Sequence, residues 1–171
     1  ATGHEWTPNE ERGLFKTSDG GKTWQKILYV NQNTGAYDVV LDPRNPDIIY
    51  CTTWERIRLK WNDPRTYENT INNGIWKSTD GGANWRKINT GLPEPNKRGR
   101  IGIDLAISNP DVLYAYVDNY EIAYKANPGE LDSYGRQKTD VRKGATIYRT
   151  DDGGNTWKQV IGLTPDQKTF M

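Results

Sequence analysis

The chain has 171 residues and a net charge of +1, with 23 Lys and Arg set against 22 Asp and Glu. Only 34% of it is hydrophobic, and no stretch approaches the roughly 18–20 apolar residues that span a bilayer. Interspersed charge of so small a net value gives no electrostatic reason to bind nucleic acid or an anionic membrane. The composition, 17 Gly, 9 Pro, 7 Trp and 10 Tyr, suits an all-β domain. Aromatics replace aliphatics there, each able to bury roughly 150–250 Å².

In chain order, residues 3–12 read as the end of a loop, and no signal-peptide pattern opens the sequence. A short strand over about 13–17 leads into Thr17-Ser18-Asp19-Gly20-Gly21-Lys22-Thr23-Trp24, and a second strand follows over 23–29. A longer strand over about 36–42 ends at Asn45-Pro46-Asp47, where proline forbids continuation of the ladder. The next, over 47–54, carries Ile48, Ile49 and Tyr50. After a long connection (about 55–73), strands at 74–78 and 84–89 flank Ser78-Thr79-Asp80-Gly81-Gly82-Ala83-Asn84-Trp85. The pattern then recurs. Strands at about 100–107 and 111–117 surround Asn109-Pro110-Asp111, a loop covers 118–144, and strands at 145–150 and 156–161 flank Thr150-Asp151-Asp152-Gly153-Gly154-Asn155-Thr156-Trp157. The tail, 163–171, carries no strand signal.

Three octapeptides of the form [S/T]-x-D-G-G-x-[T/N]-W mean one supersecondary unit used repeatedly. Each reads as a hairpin turn. Asp-Gly-Gly supplies positive-φ positions without steric cost, and the Asp carboxylate accepts hydrogen bonds from its own loop. A calcium loop would need several carboxylates at alternate positions, and these turns fix one. Asp19, Gly21 and Trp24, with Asp80, Gly82, Trp85, Asp152, Gly154 and Trp157, are therefore structural residues. Asp19 to Asp80 is 61 positions and Asp80 to Asp152 is 72, whereas a bare four-stranded blade takes about 40–50. The surplus falls in the connection between second and third strands. The fold expected is all-β: antiparallel four-stranded blades of a β-propeller, about two and a half of them. The units are a strand pair at 12–30, full blades at 35–91 and 99–162, and the tail at 163–171.

The octapeptides resemble Asp-boxes, also called bacterial neuraminidase repeats. These occur in sialidases, xyloglucan-cleaving glycoside hydrolases, sortilin-type receptor domains and a photosystem assembly factor. The run from Glu11-Arg12-Gly13 to Trp24, with Asn33-Thr34-Gly35-Ala36, Asp42-Pro43-Arg44-Asn45-Pro46 and Gly99-Arg100-Ile101-Gly102, is similar to large exported bacterial sortilin-like or glycosyl-hydrolase-like repeat proteins. The resemblance implies a propeller and an exported location (periplasmic, cell-surface or secreted). It does not select an activity, because one fold hosts many functions.

Propellers close with more blades than this chain supplies, so remaining blades are expected from the same longer chain or from a partner chain. In an alternating blade the octapeptide and Asn-Pro-Asp turns share one face. The long connections and the channel mouth share the other, where binding residues concentrate. Trp6, Trp54, Arg56, Trp61, Arg100, Tyr120 and Tyr124 are the ligand-binding candidates, because aromatic faces beside guanidinium groups suit a glycan or a peptide. For catalysis, glycoside hydrolysis needs a carboxylate pair. Asp38 near the mouth, Asp104 where the repeat has Val40, and Glu55 are the candidates, with a raised pKa expected if Asp104 sits among apolar neighbours. The sialidase arginine triad is not recognisable. His4 is the single histidine, so His triads and His metal sites are not expected, nor is any cofactor. Cys51 reads as a small buried thiol. The favoured reading is a non-catalytic recognition segment binding glycan or peptide. The alternative is a segment of an Asp-box glycoside hydrolase acting on polysaccharide.

Overall fold

The structure is a computed structural model, and it describes residues 7–56 and 70–161. Among the described residues the ten strands are β1 (Leu14–Lys16), β2 (Gln25–Leu28), β3 (Thr34–Asp42), β4 (Asn45–Glu55), β5 (Gly74–Ser78), β6 (Arg86–Lys87), β7 (Arg98–Leu105), β8 (Leu113–Tyr124), β9 (Val141–Thr150) and β10 (Lys158–Ile161). They form a two-stranded sheet, β1-β2, and two four-stranded sheets, β3-β4-β5-β6 and β7-β8-β9-β10. Every pairing is antiparallel and joins chain neighbours. The chain is thus two and a half antiparallel blades of a β-propeller.

Alternation sets the packing. Tyr50, Ile75 and Ile88 of the middle blade meet Ile101, Ile103, Leu113, Ala115 and Val117 of the last blade in the main core. A smaller cluster joins Leu14 and Leu28 of the half blade to Ala36 and Cys51. Cys51 is fully buried, and burial pushes its thiol up to about 12.

The octapeptides close the β1-β2, β5-β6 and β9-β10 hairpins with one hydrogen-bond pattern. The Asp80 carboxylate accepts from the Asn84 backbone N–H at 2.8 Å, its side-chain amide at 2.8 Å and the Ser78 hydroxyl at 2.8 Å. Asp19 and Asp152 do the same with Thr23 and Thr17, and with Thr156 and Thr150. Both glycines of each turn have positive φ. Trp24 and Trp85 fold back so that each indole N–H donates to the second glycine's carbonyl at 3.1 Å.

Four expectations need correction. Residues 118–144 are not one loop. β8 runs on to Tyr124 and β9 starts at Val141, with Ile122 opposite Arg142 and Tyr124 opposite Val141. The β-forming run Tyr120-Glu121-Ile122-Ala123-Tyr124 keeps the ladder going through two bulges, leaving 125–140 as the tip. The first Asn-Pro-Asp lies inside the start of β4 instead of at the turn. Asp42 pairs with Asn45, and the Asp42 carboxylate closes the reversal early by accepting from the Arg44 N–H at 2.9 Å. Asp104 is exposed on β7, not set among apolar neighbours, and its carboxylate caps the next backbone N–H, Leu105, at 2.8 Å. β6 is also shorter than 84–89, because the Asn89 side chain takes over the ladder, accepting from the Ile75 N–H at 2.7 Å.

Candidate functional site

Both inner strands, β3 and β7, enter their blades at the mouth through a β-bulge. The register of β3 shifts between Ala36 and Asp38, and that of β7 between Arg98 and Ile101. A bulge re-aims the side chains beside it. Here it turns out Tyr37 and Arg100, which are both exposed. The Arg100 guanidinium lies 5.9 Å from the Tyr37 ring centre and 5.5 Å from that of Trp54, at the end of β4. Arg56 covers the same indole at 4.7 Å. Two aromatic rings and two guanidinium groups therefore share one patch, each cation over a ring face.

The patch stands on a rigid base. Buried Arg12 donates to the carbonyls of Asn33 (2.8 Å) and Arg56 (2.7 Å), which fixes the end of β4. Beneath Arg100, buried Arg98 donates to the carbonyls of Asn73 (2.7 Å) and Pro93 (2.6 Å). Asn73 returns a bond to the Arg98 carbonyl at 2.8 Å. Gly99 is required at its position because any Cβ would collide with the Tyr120 hydroxyl. Tyr120 is buried, and burial followed by the charge of Asp118 holds its phenol well above the usual range.

The candidate carboxylates sit as follows. Asp38 accepts from the Ile103 N–H of the neighbouring blade at 2.9 Å and from the Val39 N–H at 2.9 Å. Thr52 adds a second cross-blade bond, donating to the Ile101 carbonyl at 2.7 Å. Glu55 accepts from the backbone N–H groups of Ile71 (2.9 Å) and Asn72 (3.0 Å), so it fastens the residues that lead into β5. Trp54, Arg56, Arg100 and Tyr120 gather at the mouth, whereas Tyr124 stands apart on the β8-β9 hairpin. Trp6 and Trp61 lie outside the described residues. Tyr37 was missing from the sequence-level set. Its signal was an aromatic on the outward-facing positions of β3, in line with Gly35, Val39 and Leu41. Among the described residues, no group of three or more His, Cys, Asp or Glu side chains is arranged to hold a metal. No helix among them is long and apolar enough to cross a membrane.

Exposed Tyr37 and half-buried Trp54 offer aromatic surface to the C–H face of a sugar ring. The guanidinium groups offer five fixed donors each to hydroxyl or carboxylate oxygens. No protein-family model matches the chain. The chain is 26% identical over 172 residues to the xyloglucanase Xgh74A of Acetivibrio thermocellus, covering 93% of this chain and 17% of that protein. It is 24% identical over 173 residues to a xyloglucanase of a Paenibacillus species, covering 93% of this chain and 14% of that one. Among solved structures, an ancestral GH74 enzyme superposes with a TM-score of 0.54 at 23% identity, over 91% of this chain and 16% of the other. The GH74 xyloglucanase of Xanthomonas campestris superposes with a TM-score of 0.53 at 16% identity, over 90% of this chain and 18% of that one. These structural likenesses bear on the fold. The chain spans about a sixth of the length of the curated relatives it matches.

Proposed function

We propose that this chain is a segment of a propeller glycoside hydrolase that acts on polysaccharide outside the cytoplasm, and that the Tyr37–Trp54–Arg56–Arg100 patch binds the glycan. The similarity to xyloglucanases along 93% of the chain carries the reading. It favours the hydrolase alternative over the purely recognition reading of the sequence. The chemistry of the mouth is compatible with it, since aromatic rings can stack on a sugar and guanidinium groups can donate to its hydroxyls.

Two of the three candidate carboxylates, Asp38 and Glu55, suit a supporting part. Asp38 accepts from the Val39 and Ile103 backbone N–H groups, and Glu55 from those of Ile71 and Asn72. Such carboxylates position strands and loops, and a general acid needs one oxygen free to hold a proton toward substrate. In this reading the segment supplies substrate contacts, and the reacting carboxylate pair comes from other parts of the full-length protein.

The test is hydrolysis and binding of xyloglucan and of an unbranched β-glucan by the full-length protein. Release of new reducing ends is expected, with Trp54→Ala, Tyr37→Ala and Arg100→Ala each weakening glycan retention in affinity electrophoresis by about tenfold or more, the scale of a lost stacking or charged contact. Asp38→Asn, Asp104→Asn and Glu55→Gln are expected to keep turnover wherever the protein stays folded. Loss of turnover in a folded carboxylate variant would place a reacting group in this segment. Absence of both binding and hydrolysis would remove the reading.

A further inference from the structure

Every described arginine but two donates to an acceptor of the protein itself. Arg12, Arg98 and Arg142 donate to backbone carbonyls, Arg44, Arg136 and Arg149 to carboxylates, and Arg86 to the Asn155 side chain. Arg56 and Arg100 are the exceptions, and they stand together. The same Trp54 ring holds both, at 4.7 and 5.5 Å, and Arg100 also lies 5.9 Å from Tyr37. A ring face attracts the cation and leaves its in-plane N–H fork unused. The Nε of Arg56 is buried, with no hydrogen-bond acceptor among the described residues. Buried donors are paired as a rule, so an unpaired one on a cation calls for an explanation.

The neighbouring carboxylates do not neutralise the pair. Both oxygens of Asp38 are taken by backbone N–H groups, those of Val39 and Ile103. Glu55 Oε2 accepts from the Ile71 and Asn72 N–H groups, and its Oε1 from the Asn31 amide at 3.5 Å. The two cations also converge. Burial and then the charge of Asp118 raise the Tyr120 phenol, and the charges of Arg56 and Arg100 both oppose them. Two guanidinium groups against one carboxylate leave this corner of the mouth positive. Like charges held to one indole repel, and an anion placed on them offsets that cost.

We propose that Arg56 and Arg100 form a carboxylate site and that the glycan taken at the mouth is acidic, with a uronate sugar whose carboxylate meets the two guanidinium groups while its ring lies on Tyr37. The proposal rests on the glycan reading above and names its sugar class. A guanidinium fork matches the planar carboxylate with two parallel hydrogen bonds. Tyr37, 48% exposed beside Arg100, gives the sugar ring an apolar face, which an acidic peptide would not require. At 26% identity the curated relatives do not fix which sugar is taken.

Binding of matched glycans to the full-length protein tests it: xylan against glucuronoxylan, and a β-glucan before and after oxidation of its primary hydroxyls to carboxylates. The acidic member of each pair is expected to bind about tenfold or more tighter, the scale of one charged hydrogen bond. That ratio should shrink as salt is added. Arg56→Gln and Arg100→Gln keep donors for hydroxyls and lose the charge, so each should bring the ratio towards one. Arg100→Lys, which keeps the charge without the fork, should retain part of it. Unchanged melting temperatures would show that the variants are folded. Equal affinity for neutral and acidic forms would overturn the proposal and leave the glycan reading standing. A preference that survives both glutamine variants would overturn it as well, since the charge would then be read elsewhere. So would tighter binding of a sulfated β-glucan or of a polyglutamate peptide than of the uronate chains. Binding of no glycan, neutral or acidic, would remove it together with the reading beneath it.

Discussion

At the scale of single residues, the octapeptide aspartates combine exposure with low proton affinity. The Thr23 hydroxyl, then its backbone N–H, holds the Asp19 carboxyl down to about 2. The Asn84 backbone N–H, then its side-chain amide, does the same for Asp80, also at about 2. Asp152 lies lower still, chiefly through the Thr150 hydroxyl. A carboxyl whose folded value lies below the unfolded one, about 3.9, stabilises fully above that value. The contribution then fades as pH falls through the folded value. Melting temperature should therefore hold from pH 7 to about 5 and drop between about 4 and 2. Replacing Asp19, Asp80 and Asp152 together by Asn should lower it at neutral pH and flatten the acid limb. A variant with an unchanged acid limb would show that other carboxylates govern it. Cys51 supports a second expectation at this scale. Its buried thiol, raised to about 12, should not react with iodoacetamide at pH 8 until denaturant unfolds the middle blade.

At the scale of elements, what was legible in the sequence depended on how local the determining contacts are. The octapeptide hairpins were readable because Asp, hydroxyl and glycine act within five or six residues of each other. The four-stranded order followed from their repetition. The reach of β8 and β9 past 118 and up from 144 was not readable, because Asp118, Asn119 and Gly144 look like loop residues. Only their cross-strand pairing, with the 2.6 Å Lys143–Glu121 ion pair beyond it, reveals the ladder. The site divides the same way. Trp54, Arg56 and Arg100 could be picked by type. Tyr37 required the β3 bulge, and the position of Asp38 depends on Ile103, 65 residues away. The octapeptide tryptophans give the element-scale prediction, since Trp157 is buried with its indole N–H donating to the Ile88 carbonyl at 2.8 Å, whereas Trp24 is exposed. Trp157→Ala should cost about 3–5 kcal/mol, the range for a buried aromatic, in urea unfolding of this chain. Trp157→Phe should cost less, losing chiefly the bond to the Ile88 carbonyl, about 1 kcal/mol. Trp24→Ala should stay within about 0.5 kcal/mol, as an exposed position does. Equal losses at Trp24 and Trp157 would contradict the difference in their burial.

At the scale of the whole molecule, stability is distributed unevenly along the row of blades. The main core joins the middle and last blades through ten buried residues, from Tyr50 to Trp157. The half blade meets the middle blade through the smaller cluster of Leu14, Leu28, Ala36 and Cys51, and β1 and β2 offer three and four residues of strand. A two-stranded hairpin is marginal by itself, so its order rests on that contact and on two bonds across the junction, from the Trp85 indole N–H to the Ile27 carbonyl and from Lys16 Nζ to the Gly81 carbonyl. Opening should then proceed from this end. Native-state hydrogen exchange should find the β1-β2 amides protected by clearly less free energy than those of β4 and β8, which are paired on both sides. Leu28→Ala should widen that gap, exposing β1-β2 further with little change at β8. Leu113→Ala, in the main core, should instead lower protection in both four-stranded sheets together by about 2–5 kcal/mol, because one cluster holds them. Uniform protection across all three sheets would mean that the chain opens as a single unit and that the small cluster couples the half blade as tightly as the large one couples the full blades.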